Sequence, residues 1–127
     1  MQRFTLFNQF PSFFPHLLVT LQLALTEVKN LFKESEYNAQ IVLQARMKLQ
    51  DAFAIWQSFK DEYVPSSFKP AIQELFTSQT TTIAYRLQNM KLLSRANPNI
   101  TLEVFGSRWK NLQEQLEITI EYLKELE

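Results

Sequence analysis

Prolines divide this chain into long segments that contain none, and glycine is almost missing from all of them. The five prolines lie at positions 11, 15, 65, 70 and 98, and the single glycine is Gly106. Tight β-turns and phosphate-binding loops depend on glycine, because glycine adopts positive φ and allows close backbone approach. A chain of 127 residues with one glycine therefore favours helices joined by few turns over sheets or nucleotide-binding folds.

Within the proline-free segments, apolar residues recur at intervals of three and four, which is the spacing of one helix face. The clearest run is Ile41, Ala45, Leu49, Ala52, Trp56 and Phe59. The first segment is too long for one ordinary helix, so its polar stretch at 34–38 predicts a break. We predict one domain, residues 1–127. Its fold is all-α, an antiparallel bundle of helices at about 15–34, 38–63, 68–96 and 99–126, with an aromatic N-terminal arm at 1–14.

The arm carries five phenylalanines: Phe4, Phe7, Phe10, Phe13 and Phe14. Burying each contributes roughly 1.5–3 kcal/mol as an upper estimate, so the arm is expected to be covered. A spacing of three suits a 3₁₀-like or extended segment as well as an α-helix. Three alternatives stay open. The favoured one is an arm that seals its own bundle; the others are a dimer arm that crosses to a second subunit and a partner-binding arm that docks on a foreign protein or membrane surface.

Motifs for catalysis, metal binding and cofactor binding are missing from the sequence. The chain has no cysteine and one histidine, His16, whereas a di-iron bundle needs two Glu-x-x-His motifs. Neither the Gly-x-Ser-x-Gly nucleophile motif nor a glycine-rich phosphate loop is present. Glu117, Glu121 and Glu125 share one helix face, which we interpret as a solvated acidic surface. We therefore predict no catalytic residues, no metal and no cofactor.

A basic region flanks the turn predicted at Asn97-Pro98, although the formal net charge of the whole chain is zero. A neutral chain has no overall field to attract nucleic acid, and nucleic-acid-binding domains are usually basic. Binding of nucleic acid is therefore an alternative hypothesis rather than the leading one. Its candidate contact residues are Arg86, Lys91, Arg95, Arg108 and Lys110.

Six small polar residues at 77–82, Thr-Ser-Gln-Thr-Thr-Thr, lie in the middle of the third predicted helix. Such residues are mediocre helix formers. Besides a plain exposed face, they suggest close approach of another helix or a polar groove. The groove hypothesis names Ser78, Thr81, Thr82 and Tyr85, and a small-ligand pocket near Thr81, Tyr85 and His16 is a second alternative. Gly106, inside the last predicted helix, likewise suggests a close approach.

No run of 18 or more apolar residues is present, so no transmembrane helix is expected. Pro11 and Pro15 also interrupt the N-terminal stretch that most resembles a signal peptide. The leading hypothesis is a cytoplasmic, non-enzymatic protein–protein interaction module, an adaptor or a regulatory subunit. We expect it to self-associate as a homodimer and to bind a protein partner that the sequence does not identify.

Overall fold

The computed structural model of the chain describes residues 4–33, 38–62, 69–95 and 101–127. Those residues form five α-helices and no strand. The helices are α1 (Leu6–Gln9), α2 (Phe14–Lys33), α3 (Ala39–Glu62), α4 (Pro70–Leu93) and α5 (Leu102–Glu125). The predicted all-α fold with about four long helices is confirmed.

The long first segment forms two helices, with α2 ending at Lys33 and α3 beginning at Ala39. Asn38 begins α3, because its side-chain Oδ1 accepts hydrogen bonds from the backbone N–H groups of Gln40 and Ile41, at 3.0 and 3.3 Å. This is the capping chemistry expected of asparagine at a helix start. The described residues do not include most of the predicted break. They also do not include the predicted helix ends at 34, 63, 68, 96 and 99 or the turn at Asn97-Pro98.

The N-terminal arm contains a helical turn, α1. The spacing of its phenylalanines was compatible with a 3₁₀-like or extended segment as well as with an α-helix. Thr5 caps it, because the Thr5 hydroxyl oxygen accepts a hydrogen bond from the backbone N–H of Asn8 at 2.9 Å. The turn ends where the N–H of Phe10 bonds to the carbonyl of Leu6 at 2.9 Å. After it, α2 begins at Phe14 and carries Pro15 in its first turn, where a proline is tolerated.

The four long helices pack as two pairs of consecutive helices, and one helix of each pair contacts the other pair. α2 packs most extensively on α3, α5 packs on α4, and α2 and α5 join the two pairs. Ala24 of α2 and Ala45 and Ala52 of α3 are fully buried. Such small side chains allow two helix backbones to approach closely, which fits the extensive packing of this pair.

All the helices contribute to a single hydrophobic core, and the arm belongs to it. Phe7 and Phe14 are buried, while Phe4, Phe10 and Phe13 are partly buried against the same core. The five phenylalanines therefore pack on the protein's own helices. In this single chain, the arm adopts the first of the three alternatives considered from the sequence.

Gly106 does not mark a close helix approach, so the expectation drawn from the sequence is wrong at this position. A Cβ atom placed on Gly106 meets, in the described part of the chain, no atom within 4 Å apart from the nearby backbone of its own helix. Replacing Gly106 with alanine is therefore expected to stabilise the protein by roughly 1 kcal/mol, because alanine is the better helix former and meets no obstacle. Urea unfolding measures the gain. Ser107→Ala, at the exposed neighbouring position, should give a smaller gain, and a destabilised Gly106→Ala variant would contradict the open space.

Candidate functional site

α3 and α4 touch each other at two separated points. Near the end of α3, the rings of Phe59 and Phe76 have centroids 6.1 Å apart. Near the start of α3, the Nε atom of Arg46 donates a hydrogen bond of 2.8 Å to the carbonyl oxygen of Ser94, just beyond α4. Between these two contacts lies a groove that is open to solvent and is lined by side chains of both helices.

This α3/α4 groove consists of two adjoining hollows, of about 500 and 390 Å³. Both are lined by Trp56 and Lys60 of α3 and by Thr81 and Ala84 of α4, so they form one continuous depression. Its apolar lining consists of Phe53, Trp56, Phe59, Phe76, Ala84 and Leu87, and its polar lining includes Gln57, Thr81, Tyr85 and Gln88.

Small side chains on α4 explain why the groove exists. Thr77, Thr80, Thr81 and Ala84 line it, and none of these side chains is large enough to reach across to α3. The hydroxyl of Thr80 donates to the carbonyl of Phe76 at 2.8 Å. Its hydrogen-bonding need is thus met inside its own helix, and no ligand group is required to satisfy it.

The N-terminal arm closes one end of the groove. The ring centroid of Phe10 lies 5.0 Å from that of Phe59 on α3 and 5.8 Å from that of Phe76 on α4. Phe14 packs edge-on against Phe59 at 5.0 Å and contacts Trp56 at 6.4 Å. We call Phe10, Phe14, Trp56, Phe59 and Phe76 the aromatic junction. Trp56 belongs both to this junction and to the groove lining, so it links the arm to the groove.

The groove is positively charged at its lining. Lys60 and Lys91 are exposed and line it, and within the described residues no aspartate or glutamate lines either hollow. The nearest acidic group along α3 is Asp61, whose carboxylate accepts a hydrogen bond from the Gln57 side chain at 2.9 Å. The groove therefore combines an apolar lining with the ammonium groups of two exposed lysines.

Of the four residues predicted for a polar groove, two line the α3/α4 groove and two do not. Thr81 and Tyr85 line the α3/α4 groove. Ser78 and Thr82 do not line it; the Thr82 hydroxyl instead donates to the carbonyl of Ser78 at 3.0 Å. His16 is exposed on α2 and is not part of the groove lining.

The α3 wall of the groove was not anticipated from the sequence. Trp56 was assigned to the core stripe of its helix, and it is indeed nearly buried, but its remaining surface faces the groove. Phe53, Gln57 and Lys60 were not singled out. The sequence feature that could have indicated this wall is Phe53, an aromatic residue that lies off the buried stripe formed by Ala52, Trp56 and Phe59.

Two of the predicted nucleic-acid contacts are engaged with the protein's own groups. The Nη2 atom of Arg108 donates to the carbonyl of Leu92 at 2.6 Å, at the end of α4. The ammonium group of Lys110 lies 5.4 Å from the ring centroid of Phe32 on α2. Both side chains thus bind neighbouring helices of the bundle.

The other three predicted contacts lie in different surroundings along α4. Arg86 lines a shallow pocket together with Glu117, Glu121 and Glu125 of α5. Lys91 lines the α3/α4 groove, and Arg95 is exposed just beyond the helix. Arg108, Lys91 and Arg95 therefore all lie at or near the end of α4, whereas Arg86 and Lys110 contact other parts of the bundle.

The glutamates of α5 face solvent and their ion pairs are long. Glu117 lies 4.0 Å from the ammonium group of Lys29, and Glu121 lies 3.9 Å from that of Lys124. Among residues 4–33, 38–62, 69–95 and 101–127, no three histidine or acidic side chains are grouped so that they could hold a metal ion. In the same residues, no helix combines the length and the apolarity needed to cross a membrane.

Comparison of the chain with known protein families, with curated proteins and with solved structures gives no match in any of the three. What the groove binds therefore has to be inferred from the groove's own residues.

Proposed function

We propose that the protein is a non-enzymatic protein–protein interaction module, an adaptor or a regulatory subunit, whose α3/α4 groove binds an amphipathic α-helix. The observation that carries this proposal is a groove held together at both ends, by Phe59 against Phe76 and by Arg46 on Ser94, and open between them. Grooves between helices are a recurring receptor for an amphipathic helix that presents apolar residues on one face.

The size of the groove supports a helix as the ligand. From Thr77 to Lys91, both of which line it, the groove follows α4 for about four turns, roughly 21 Å at 1.5 Å per residue. Phe53, Trp56 and Leu87 lie along this length. Aromatic residues in the centre of an interface are frequent sites of strong binding. Trp56 and Leu87 are 8% and 3% exposed, so the apolar surface that a bound helix would cover here belongs mainly to the half-buried Phe53.

The charges of the groove favour an acidic helix. Lys91 lies exposed near one end of its lining, and Lys60 lies exposed where the two hollows adjoin, so two carboxylates of a bound helix would each find a cation. Exposed ion pairs contribute only about 0–1 kcal/mol each. Their main effect is on the orientation of the bound helix and on the rate of association.

The alternative functions have less support. Nucleic-acid binding needs cations that converge on phosphates, whereas Arg86 and Lys110 contact parts of the bundle other than the end of α4, where Arg108 lies. A small-ligand site is supported by the volume of about 500 Å³, which is within the usual range. An open, elongated groove nevertheless encloses a small molecule poorly. A cytoplasmic location, inferred from the sequence, is part of the proposal.

A designed peptide tests the proposed function. The peptide is an amphipathic helix of about 18 residues, with leucines on one face and glutamates about three turns apart, and it carries a fluorescent label. We expect it to bind, as measured by fluorescence anisotropy. Ala84→Arg should weaken binding roughly tenfold or more, because the arginine side chain would occupy the middle of the groove.

Ser78→Arg is the matched control, because it places the same side chain on α4 outside the groove lining, and it should leave binding unchanged. A second peptide with lysines in place of the glutamates should bind more weakly. Equal binding by the Ala84→Arg and Ser78→Arg variants, or no binding of the acidic peptide, would overturn the proposed function.

A further inference from the structure

The outer face of α5 carries a row of acidic residues around one exposed apolar side chain. Glu114, Ile118, Glu121 and Glu125 follow each other at spacings of four, three and four, and all are exposed. We call them the acidic stripe. Ile118, in its middle, is 46% exposed. Residues at these spacings share one face of a helix, so the stripe is itself an amphipathic helix surface of the acidic kind that the groove favours.

We propose that the α3/α4 groove of one molecule binds the acidic stripe of a second copy of this chain. This inference rests on the proposed function and names the partner. The charges are complementary, because the groove presents Lys60 and Lys91 with no acidic lining residue in the described part of the chain. The stripe presents three carboxylates.

The dimensions of the two surfaces agree. Glu114 and Glu125 are separated by roughly 16 Å along α5, at 1.5 Å per residue. Lys60 lines both hollows together with Thr81 and Ala84, which lie roughly 11–15 Å from Lys91 along α4 by the same measure, and the flexible four-carbon stem of lysine can cover the difference. Ile118 then lies between the two ion pairs, where it meets the apolar lining of the groove.

Cations near the stripe reduce its charge without cancelling it. The Lys124 ammonium lies 3.9 Å from Glu121, and both side chains are largely exposed. Arg86 lines the shallow pocket beside Glu121 and Glu125. Glu114 forms no salt bridge within the described residues, so at least one end of the stripe is available to a lysine from another molecule.

The arrangement of the helices makes this contact intermolecular. α5 packs on α2 and α4, whereas the groove lies between α3 and α4, and the stripe faces solvent. A molecule therefore cannot place its own stripe in its own groove. Two different surfaces meet in such a contact, which is heterologous, so dimers should grow into longer chains as the concentration rises.

Sedimentation of the full chain with paired charge reversals tests the inference. We expect the average mass of the unmodified protein to rise across a wide concentration range. The groove variant Lys60→Glu/Lys91→Glu and the stripe variant Glu114→Lys/Glu125→Lys should each stay monomeric. A mixture of the two variants should associate again, because the basic stripe of one fits the acidic groove of the other. The control Lys33→Glu/Arg95→Glu, which reverses two exposed cations outside the groove, should associate like the unmodified protein.

A protein that stays monomeric at all concentrations overturns the inference, and so does a mixture of the two variants that fails to associate. The designed acidic peptide separates this failure from failure of the proposed function. If that peptide binds the groove of a monomeric protein, the groove is a receptor for another partner and only the second copy is excluded. If the peptide does not bind, the proposed function itself fails.

Discussion

Replacing Leu6 and Phe7 together with alanine is expected to bring the protein close to unfolding. Both side chains belong to the one-turn helix α1 and are buried in the common core. Removing a buried leucine costs about 2–5 kcal/mol and a buried phenylalanine about 3–5 kcal/mol. Even if the two effects overlap, because the residues are neighbours, the loss is comparable to the 5–15 kcal/mol that stabilises a typical domain. Urea unfolding followed by circular dichroism measures it.

Gln9→Ala is the matched control for this prediction, because Gln9 belongs to the same turn and is exposed. It should change the free energy of unfolding by less than about 0.5 kcal/mol. If the double variant were as stable as the control, the arm would not pack on its own bundle in solution. A dimer arm or a partner-binding arm would then become the better explanation of the five phenylalanines.

Replacing Trp109 with alanine is expected to cost about 3–5 kcal/mol and to loosen the opposite end of the bundle. Trp109 is buried, stacks on Phe105 at 5.1 Å between ring centroids, and has the guanidinium of Arg46 5.6 Å from its ring centroid. The same Arg46 donates the hydrogen bond to Ser94 that holds α3 to the end of α4. Loss of the indole therefore removes packing and also the surface that positions this arginine.

Thermal and urea unfolding of a small series of variants separates the packing of the Trp109 ring from its contact with Arg46. Trp109→Phe keeps an aromatic ring and should cost less than alanine, while Asn111→Ala, exposed on the same helix, should be nearly neutral. A double-mutant cycle between Arg46→Ala and Trp109→Ala, which removes the ring altogether, should give a coupling of about 0.5–2 kcal/mol. A Trp109→Ala variant of unchanged stability would show that the contact network at this end is not formed.

The helices were predictable because the information that defines them is local. Prolines bound the segments, the polar stretch at 34–38 separates α2 from α3, and the stripe through Ala45, Leu49 and Ala52 identifies the buried face of α3. Each of these signals extends over only a few residues of the chain, so the sequence alone contains the information that defines the helices.

The groove was only partly predictable because it depends on which helices become neighbours. The small residues at 77–82 indicated a recess on α4, and Thr81 and Tyr85 indeed line it. The opposite wall, with Trp56 and Lys60, comes from α3, and no local pattern states that α3 faces this side of α4. For the same reason, Gly106 was read as a contact point although its surroundings are open.

The basic region illustrates a different limit of sequence reasoning. Arg86 and Arg108 are 22 positions apart in the sequence and lie on two packed helices, and both were counted toward one charged surface. The structure directs Arg108 to a carbonyl at the end of α4 and Arg86 toward the glutamates of α5. Charge counting over a sequence window ignores the side of the helix on which each cation lies.

The aromatic junction also has a consequence for how the protein is made. Phe10 is covered by Phe59 and Phe76, so its binding site is complete only after a further 66 residues have been synthesised. At about 5–20 residues per second, the arm stays uncovered on the nascent chain for roughly 3–13 s. During translation the phenylalanines of the arm are therefore an exposed apolar segment with a risk of aggregation, until α4 has emerged from the ribosome and the two helix pairs have met.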